Sequence, residues 1–312
     1  MRTLLLVMLC TLLAATGAQA GPGTWQPAPG HTQVPIWPGV VPDEQPVPGP
    51  EKATVSTGLI AGRPATAVTN VTRPTMTVYP PKGRNSGAAV VVLPGGGFEI
   101  LAIDLEGTEA CDWLTANGIT CVLLKYRVPG PPYDWHCDCR PHNYMVPTLA
   151  LEDVQRTLGL VRHHAREWHI DPHKIGVMGF SAGGFLVAEA STRYRQRLYK
   201  PVDAADTESI RPDFALAIYP GHLALNGKLN PNVPVTRDTP PTFVLQAEDD
   251  HVDGVEQALV YYTALAEAGA PAEMHLYAYG GHAFGLRHTD LPVSGWPELA
   301  KRWLVTIGVL PK

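Results

Sequence analysis

The chain has 312 residues, of which 45% are hydrophobic and 17% charged, and its formal net charge at pH 7 is −5. This composition is typical of an ordinary globular protein, and the length is sufficient for one large domain or at most two small ones. A weakly acidic chain without a basic cluster is a poor partner for nucleic acid or for an anionic membrane surface. Small neutral molecules or polysaccharides are therefore the expected ligands.

The first twenty residues are predicted to be a secretory signal peptide rather than part of the fold. A positive charge at Arg2 is followed by an apolar run over residues 4–15 and by the small-residue pattern A-Q-A that ends at Ala20. This run is short for a membrane span, and no later stretch reaches about 18 apolar residues. We therefore expect a mature chain, from Gly21 onward, that is secreted or periplasmic and has no membrane partner after cleavage.

Export would place the remaining cysteines in an oxidising compartment. Cys111, Cys121, Cys137 and Cys139 remain after cleavage, and they allow two disulfides in any of three pairings. Cys111 on a predicted helix over 106–117 and Cys121 on the following predicted strand are suitable partners, whereas a bond between Cys137 and Cys139 would be strained. Buried free thiols are the alternative. The C-x-C pair and its neighbouring histidines do not complete a four-ligand site, so no metal is predicted.

Residues 21–74 are predicted to be a Pro/Gly-rich N-terminal arm. Such a segment cannot be a helix and is a poor central strand, so it either wraps around the fold or serves as a linker. Regular structure begins with residues 75–79, which alternate as a strand. Residues 88–93 are continuously apolar and β-branched, and this pattern predicts a strand that is buried on both faces.

A glycine-rich loop, P-G-G-G-F over residues 94–98, follows this buried strand. Consecutive glycines leave backbone N–H groups free to point at a ligand oxygen, as in the H-G-G-G oxyanion loop of lipases and esterases, although Pro94 stands where His is common. A plain glycine turn is the alternative interpretation. Together with the serine motif described below, the loop is predicted to supply oxyanion-binding N–H groups from Gly96 and from Gly95 or Gly97.

A long aromatic segment over residues 129–147 separates a predicted buried strand over 119–126 from a predicted helix over 148–169. A loop of this length inside a compact domain is usually functional or mobile. We interpret it as a wall or lid of the substrate site, whose Tyr133 and Trp135 would stack on a sugar or aryl group. A surface flap packed by its own aromatic residues is the alternative.

The motif G-x-S-x-G at residues 179–183 is the nucleophile-elbow pattern, because it joins a β-type run directly to a helix-forming run. So sharp a turn strains the backbone of the serine, and side chains at Gly179 and Gly183 would collide with neighbouring chain. Ser181 is therefore the candidate nucleophile. The backbone N–H of Ala182 and the helix N-terminus would favour the negative charge that develops in acyl transfer.

Acidic residues and a histidine follow the last two predicted strands. The segment E-D-D-H-V-D over 248–253 comes directly after a predicted strand over 242–247, at the edge where α/β sheets place their sites, and one of its carboxylates is expected to orient a histidine. His282 lies in a glycine-rich loop after the predicted final strand over 272–278 and is the best candidate for a general base. The order serine, acid, histidine is that of α/β hydrolases.

Several segments together resemble bacterial esterases of the α/β-hydrolase superfamily related to hormone-sensitive lipase and dienelactone hydrolase: DPHKIGVMGFSAGG, LPGGGF with DLEG, GITCVLLKYRVP, PPTFVLQAEDDHV and YGGHAFGLR. The chain is more closely similar to the secreted acetylxylan-esterase and xylanase-B-like group. The resemblance implies an α/β fold with a mostly parallel central sheet and helices on both faces, and a catalytic domain over residues 75–312. It also implies that Asp249 is the acid of a D-x-x-V pattern with Val252 as its valine, and Asp250 is the alternative.

These assignments predict a secreted serine carboxylesterase that hydrolyses short acyl esters, on plant cell-wall carbohydrate, without a metal or organic cofactor. Glycoside hydrolysis is not expected, because no pair of carboxylates flanking a bond is identifiable. Two other functions remain open. One is a serine peptidase of the prolyl-oligopeptidase kind, although residues 21–74 cannot form the propeller usual in that family. The other is a non-catalytic binding protein with the same fold.

Overall fold

The computed structural model describes residues 23–128 and 145–312, with the side chains of the second range described from Thr148 onward. The predicted signal peptide, the predicted substrate residues Tyr133 and Trp135, and the cysteines Cys137 and Cys139 lie outside the described residues. Within these two ranges, no helix combines the length and the apolar character needed to cross a bilayer.

The described residues form thirteen β-strands, most of them short. In chain order their bounds are β1 Gln33–Pro35, β2 Lys52–Val55, β3 Thr66–Thr69, β4 Thr75–Tyr79, β5 Ala89–Leu93, β6 Leu101–Ala102, β7 Thr120–Lys125, β8 Ile175–Phe180, β9 Phe214–Ile218, β10 Ala224–Leu225, β11 Lys228–Leu229, β12 Thr242–Ala247 and β13 Ala272–Tyr277.

Eight of these strands form the central sheet, in the order β1-β4-β7-β5-β8-β9-β12-β13. The strands from β7 to β13 in this order run parallel, whereas β4 pairs antiparallel with β7, and β1 antiparallel with β4. Every residue of β5, β7, β8, β9 and β12 is buried. Successive residues of a strand point to opposite faces of the sheet, so complete burial means that both faces are covered. This explains the continuous apolar sequence of these strands. The predicted α/β fold class is confirmed.

Five α-helices are found in the described part of the chain: α1 Glu109–Ala116, α2 Met145–His163, α3 Ala182–Thr192, α4 Glu256–Ala268 and α5 Trp296–Thr306. The third of them follows β8 after a single residue and packs against β8, β9 and α2. Every residue of α3 is buried, as expected for a helix with apolar residues on all sides. The serine motif therefore lies at the centre of the molecule.

Some predicted segments differ in detail from the structure. The predicted helix over 148–169 is α2, which ends at His163. The predicted helix over 106–117 consists of a π-helical turn, Asp104–Thr108, followed by α1. The predicted loop over 221–241 contains the hairpin β10–β11. Its turn is the Asn226-Gly227 pair, with φ values of 52° and 73°, and Asn-Gly with positive φ at both positions is the favoured two-residue hairpin turn. This local signal was available in the sequence.

The N-terminal segment is packed into the fold over its described part. β1 extends one edge of the central sheet, and β2 and β3 form a second sheet with β6. Trp37 is buried, and its indole N–H donates to Asp153 of α2 at 2.9 Å. Asp153 also pairs with the guanidinium of Arg127 at 3.0 Å. This buried polar network fixes the segment to the body of the protein, so that it can contribute walls to a cavity at the sheet edge.

A disulfide joins Cys111 of α1 to Cys121 of β7, with Cα atoms 5.2 Å apart. This is the pairing that the predicted helix and strand favoured, and it is confirmed. The bond connects α1 to the central sheet. Because it is covalent, it holds the two cysteines together in the unfolded chain as well as in the folded one.

Candidate active site

Ser181 lies in the sharp turn between β8 and α3, with φ 53° and ψ −120°. A positive φ is uncommon for a residue with a side chain and marks a strained turn of the kind that occurs at functional sites. The close packing around it requires glycine on both sides. A Cβ on Gly179 would lie 2.1 Å from the carbonyl oxygen of Gly183, and a Cβ on Gly183 would lie 2.0 Å from that of Leu93. The elbow predicted from the sequence is thus present with its steric cause.

Three side chains form a hydrogen-bonded chain at the carboxyl edge of the sheet. The Nε2 atom of His282 lies 2.9 Å from Oγ of Ser181, and its Nδ1 atom lies 2.6 Å from Oδ2 of Asp250. The carboxylate of Asp250 is buried. When the imidazole is neutral with its proton on Nδ1, Nδ1–H donates to Asp250 and Nε2 accepts from the serine hydroxyl. This arrangement allows the imidazole to remove the proton of the serine.

The acid in contact with the histidine is therefore Asp250, and the prediction of Asp249 is wrong in this respect. Asp249 instead accepts hydrogen bonds from the backbone N–H groups of Gly280 and Gly281, at 2.9 and 2.7 Å. The turn after β12 directs the two neighbouring carboxylates differently, because successive side chains of a turn leave the backbone in different directions. Asp249 fixes the loop that carries His282, and Asp250 contacts the imidazole itself.

Charge at the site shifts the pKa of His282. Burial alone lowers the pKa of this imidazole, but the hydrogen bond and the negative charge of Asp250, together with the charges of Asp253 and Glu106, outweigh burial and raise the pKa above its usual value of 6.5. The imidazolium form is thus stabilised. A group that must accept a proton and later return it benefits from a pKa near the working pH.

The predicted oxyanion donors lie on the glycine loop and at the start of α3. Gly96 and Gly97 have φ values of 131° and 63°, which glycine tolerates without strain. Within the described residues, the N–H groups of Gly96, Gly97 and Ala182 donate to no protein acceptor. The N–H of Gly95, the alternative donor, donates to Oε2 of Glu106 at 2.7 Å. The structure therefore leaves Gly96, Gly97 and Ala182 free to bind a ligand oxygen, and removes Gly95 from the set.

Glu106 is a buried carboxylate to which the sequence analysis gave no role. Its Oε2 atom holds the glycine loop through Gly95, and its Oε1 atom accepts from the hydroxyl of Tyr219 at 2.9 Å. The same hydroxyl accepts from the N–H of Gly285, beyond the histidine, at 3.1 Å. Burial raises the pKa of Glu106, and the hydrogen bonds from Tyr219 and Gly95 oppose this rise. The carboxylate thus connects the oxyanion loop to the loop that carries the base.

A cavity of about 830 Å³ opens directly onto Ser181 and His282. Its walls include the N-terminal segment, the glycine loop and the beginning of α4. Besides Glu106, three carboxylate side chains contribute to the lining: Glu99, Asp253 and Glu256. Among the described residues, no Lys or Arg contributes to it. The size suits a small organic substrate or one end of a longer chain.

The described residues contain no group of three or more His, Cys, Asp or Glu side chains placed to hold a metal ion. The reactive groups at this site are the serine, the imidazole, the carboxylate and the free backbone donors. These are the groups that acyl transfer through a serine nucleophile requires.

Comparison with known proteins gives matches to proteins that are named as hydrolases. A family model described as BD-FAE matches residues 76–219. An acetylxylan esterase of Xylanibacter ruminicola is 31% identical over 225 residues, which are 64% of this chain and 42% of the relative. Endo-1,4-beta-xylanase B of Butyrivibrio fibrisolvens is 25% identical over 229 residues, 66% of this chain and 34% of the relative. The chain thus matches less than half the length of these two relatives.

Among solved structures, the acetyl ester-xyloside bifunctional hydrolase from Caldicellulosiruptor lactoaceticus superposes with a TM-score of 0.69 and 29% identity, covering 89% of this chain and 97% of that one. This match extends over most of both chains. The sheet order and the nucleophile elbow are those of an α/β hydrolase, and these matches show that the chain is similar to the esterase group that includes the acetylxylan-esterase and xylanase-B-like proteins.

Proposed function

We propose that this protein is a serine carboxylesterase that removes short acyl groups, acetyl above all, from plant cell-wall carbohydrate. The single observation that carries the proposal is the chain of hydrogen bonds from Ser181 through His282 to Asp250, at distances of 2.9 and 2.6 Å, next to unpaired backbone donors. A strained serine in this setting has a base, an orienting acid and an anion site, which is what ester hydrolysis through an acyl-enzyme needs.

The mechanism follows from these positions. His282 takes the proton of Ser181 as Oγ attacks the ester carbonyl, and Asp250 holds the proton on Nδ1 and stabilises the imidazolium. The carbonyl oxygen becomes negative and is bound by the N–H groups of Ala182 and of Gly96 or Gly97. The imidazolium then gives its proton to the alcohol oxygen as the bond to it breaks. Water, deprotonated by the same imidazole, attacks the acyl-enzyme and releases the acid.

The substrate class is inferred from the relatives and from the cavity. Relatives over this domain are named for acetylxylan esterase and acetyl ester-xyloside hydrolase activities, and the cavity is open enough to accept an ester on a larger alcohol. We infer a neutral sugar alcohol, since the described lining offers carboxylates and no cation for an anionic partner. The peptidase and the binding-protein alternatives have no observation here that favours them over this proposal.

Export is part of the proposal. The disulfide between Cys111 and Cys121 supports it, because structural disulfides persist in oxidising compartments and are rare in the cytosol. A polysaccharide ester is also a substrate that a cell must process outside its cytoplasm. The predicted signal peptide ending at Ala20 would supply the route, and N-terminal sequencing of the protein recovered outside the cytoplasm tests it: a start at Gly21 is expected.

The function is tested with acetylated xylan as substrate. We expect the wild-type protein to release acetate and Ser181→Ala to lose activity by several orders of magnitude, as nucleophile substitutions do in serine hydrolases. Ser191→Ala, which alters another buried serine farther along α3, is the matched control and should keep the activity. Hydrolysis of p-nitrophenyl acetate without release of acetate from xylan would retain the mechanism and refute the proposed substrate.

A further inference from the structure

The proposed mechanism leaves one carboxylate beside the reacting atoms without a role. Oδ2 of Asp253 lies 3.3 Å from Oγ of Ser181 and 3.8 Å from Nε2 of His282. The side chain is only 14% exposed, and its exposed part faces the cavity. Asp253 therefore lies where any ester bound for attack must place atoms.

This carboxylate has few hydrogen-bond donors. An ionised carboxylate can accept about four hydrogen bonds. In the described residues the hydroxyl of Ser181 is the one donor within hydrogen-bond distance of the side chain of Asp253, and its single proton points to Nε2 of His282 when the serine is ready to react. No Lys or Arg of the described residues pairs with it. By contrast, the neighbouring Asp250 receives the N–H groups of Val252 and of Asp253 itself, besides the imidazole. Asp253 thus has acceptor capacity that only a molecule in the cavity can use.

Its position relative to His282 indicates which part of the substrate it would meet. The alcohol oxygen that leaves the acyl group must come within hydrogen-bond distance of Nε2, because that atom returns the proton. Oδ2 of Asp253 lies close to this same nitrogen and to Oγ of Ser181. In a vicinal diol the two oxygens lie about as far apart as two hydrogen-bonded oxygens. A hydroxyl on the carbon next to the ester carbon is therefore within reach of the carboxylate.

An unpaired carboxylate at this position would oppose the reaction unless a donor satisfied it. Burial raises the pKa of Asp253. The charge of His282 opposes this rise, and the charge of Asp250 adds to it. A hydroxyl that donates to the carboxylate stabilises its charged form and replaces the water that substrate binding removes. An alcohol without such a hydroxyl would bury the carboxylate unsatisfied.

We propose that Asp253 is a specificity-determining residue that accepts a hydrogen bond from the free hydroxyl vicinal to the ester, and so selects esters of polyhydroxylated alcohols, such as partly acylated sugars, over esters of simple alcohols. The inference rests on the proposed esterase function and narrows its alcohol class. It predicts that the hydroxyl next to the ester contributes to kcat/KM through this one side chain.

The test uses two acetates that differ in a single hydroxyl, trans-2-hydroxycyclohexyl acetate and cyclohexyl acetate. A hydrogen bond to a charged group corresponds to a preference of about ten- to a hundredfold, so the wild-type kcat/KM should favour the hydroxylated ester by that factor. In Asp253→Ala the ratio should fall to near one. Asp253→Asn, which keeps an acceptor oxygen without the charge, should keep part of the preference.

Glu99→Gln is the matched control, because it removes one negative charge from another side chain of the same cavity, and its ratio should stay at the wild-type value. A wild-type ratio near one, or an undiminished ratio in Asp253→Ala, overturns the role of Asp253 while both esters are still cleaved through Ser181. Absence of hydrolysis of either ester, or equal hydrolysis by Ser181→Ala, overturns the esterase proposal and this inference with it. The wild-type ratio needs no variant, so the test does not depend on the folding of Asp253→Ala.

Discussion

The choice between two adjacent carboxylates leads to a sharp prediction, the effect of Asp250→Asn. Oδ1 of Asp250 accepts the backbone N–H groups of Val252 and Asp253, at 2.9 and 3.0 Å, whereas Oδ2 accepts from His282. In the asparagine variant these two N–H donors hold the amide oxygen at the position of Oδ1. The amide NH₂ then takes the position of Oδ2 and donates to Nδ1 of the imidazole.

Such a donor forces the imidazole proton onto Nε2, the atom that must accept the proton of Ser181. The base is then in the wrong tautomer although the geometry is kept. Serine hydrolases lose about 10⁴-fold in rate from this change, which corresponds to about 5.4 kcal/mol of transition-state stabilisation. We expect a loss of that size in kcat/KM for p-nitrophenyl acetate, with little change in the thermal unfolding midpoint.

Asp249→Asn is the matched control for this prediction. Its amide oxygen can still accept both N–H groups of Gly280 and Gly281, so the histidine loop keeps its anchor and the loss should stay below about tenfold, the equivalent of a single weakened hydrogen bond. A 10⁴-fold loss in Asp249→Asn together with a small loss in Asp250→Asn would refute this reasoning and restore the acid inferred from the D-x-x-V pattern.

Three further predictions concern the surroundings of the site. Because the pKa of His282 lies above 6.5 and only the neutral imidazole is a base, kcat/KM should fall as pH decreases through a midpoint above 6.5; a pH-rate profile with a midpoint below that value would contradict the assigned environment. Glu106→Ala leaves the N–H of Gly95 and the hydroxyl of Tyr219 without their buried acceptor, so denaturant unfolding should show a loss on the order of 3 kcal/mol and kcat should fall more than KM changes; Glu106→Gln, which keeps one acceptor, should lose less. Cys111→Ser removes a disulfide that closes a loop with a sequence separation of 10, and chain entropy predicts a loss of about 2.5–3 kcal/mol in the free energy of unfolding. Identical unfolding curves for the oxidised wild type and the variant would contradict this prediction.

The sequence was most informative where local sterics determine the residue type. The elbow around Ser181 requires glycines at fixed positions, and the buried parallel strands require continuous apolar runs, so both were predictable from short segments. The order of motifs then led to His282. These signals are local, and they do not depend on which distant segments meet.

The parts that could not be predicted depend on turn geometry or on distant contacts. Asp249 and Asp250 are both polar residues in the turn after β12, and only the path of that turn decides which carboxylate faces the imidazole. Glu106 was visible in the sequence, but its partner Tyr219 is 113 residues away. Nothing local marks β1 as an edge strand either, since it exists through pairing with β4. The roles of such residues require the fold.

The central claim, that Ser181 becomes acylated, is tested most directly by trapping the intermediate. The enzyme is mixed with excess p-nitrophenyl acetate, quenched with acid within the first turnovers and digested for peptide mass spectrometry. The account predicts an initial release of about one equivalent of p-nitrophenol per enzyme and an added acetyl group on the peptide that contains Ser181, both absent in Ser181→Ala. Hydrolysis that proceeds without acetyl on that peptide, or at the same rate in Ser181→Ala, would contradict the account.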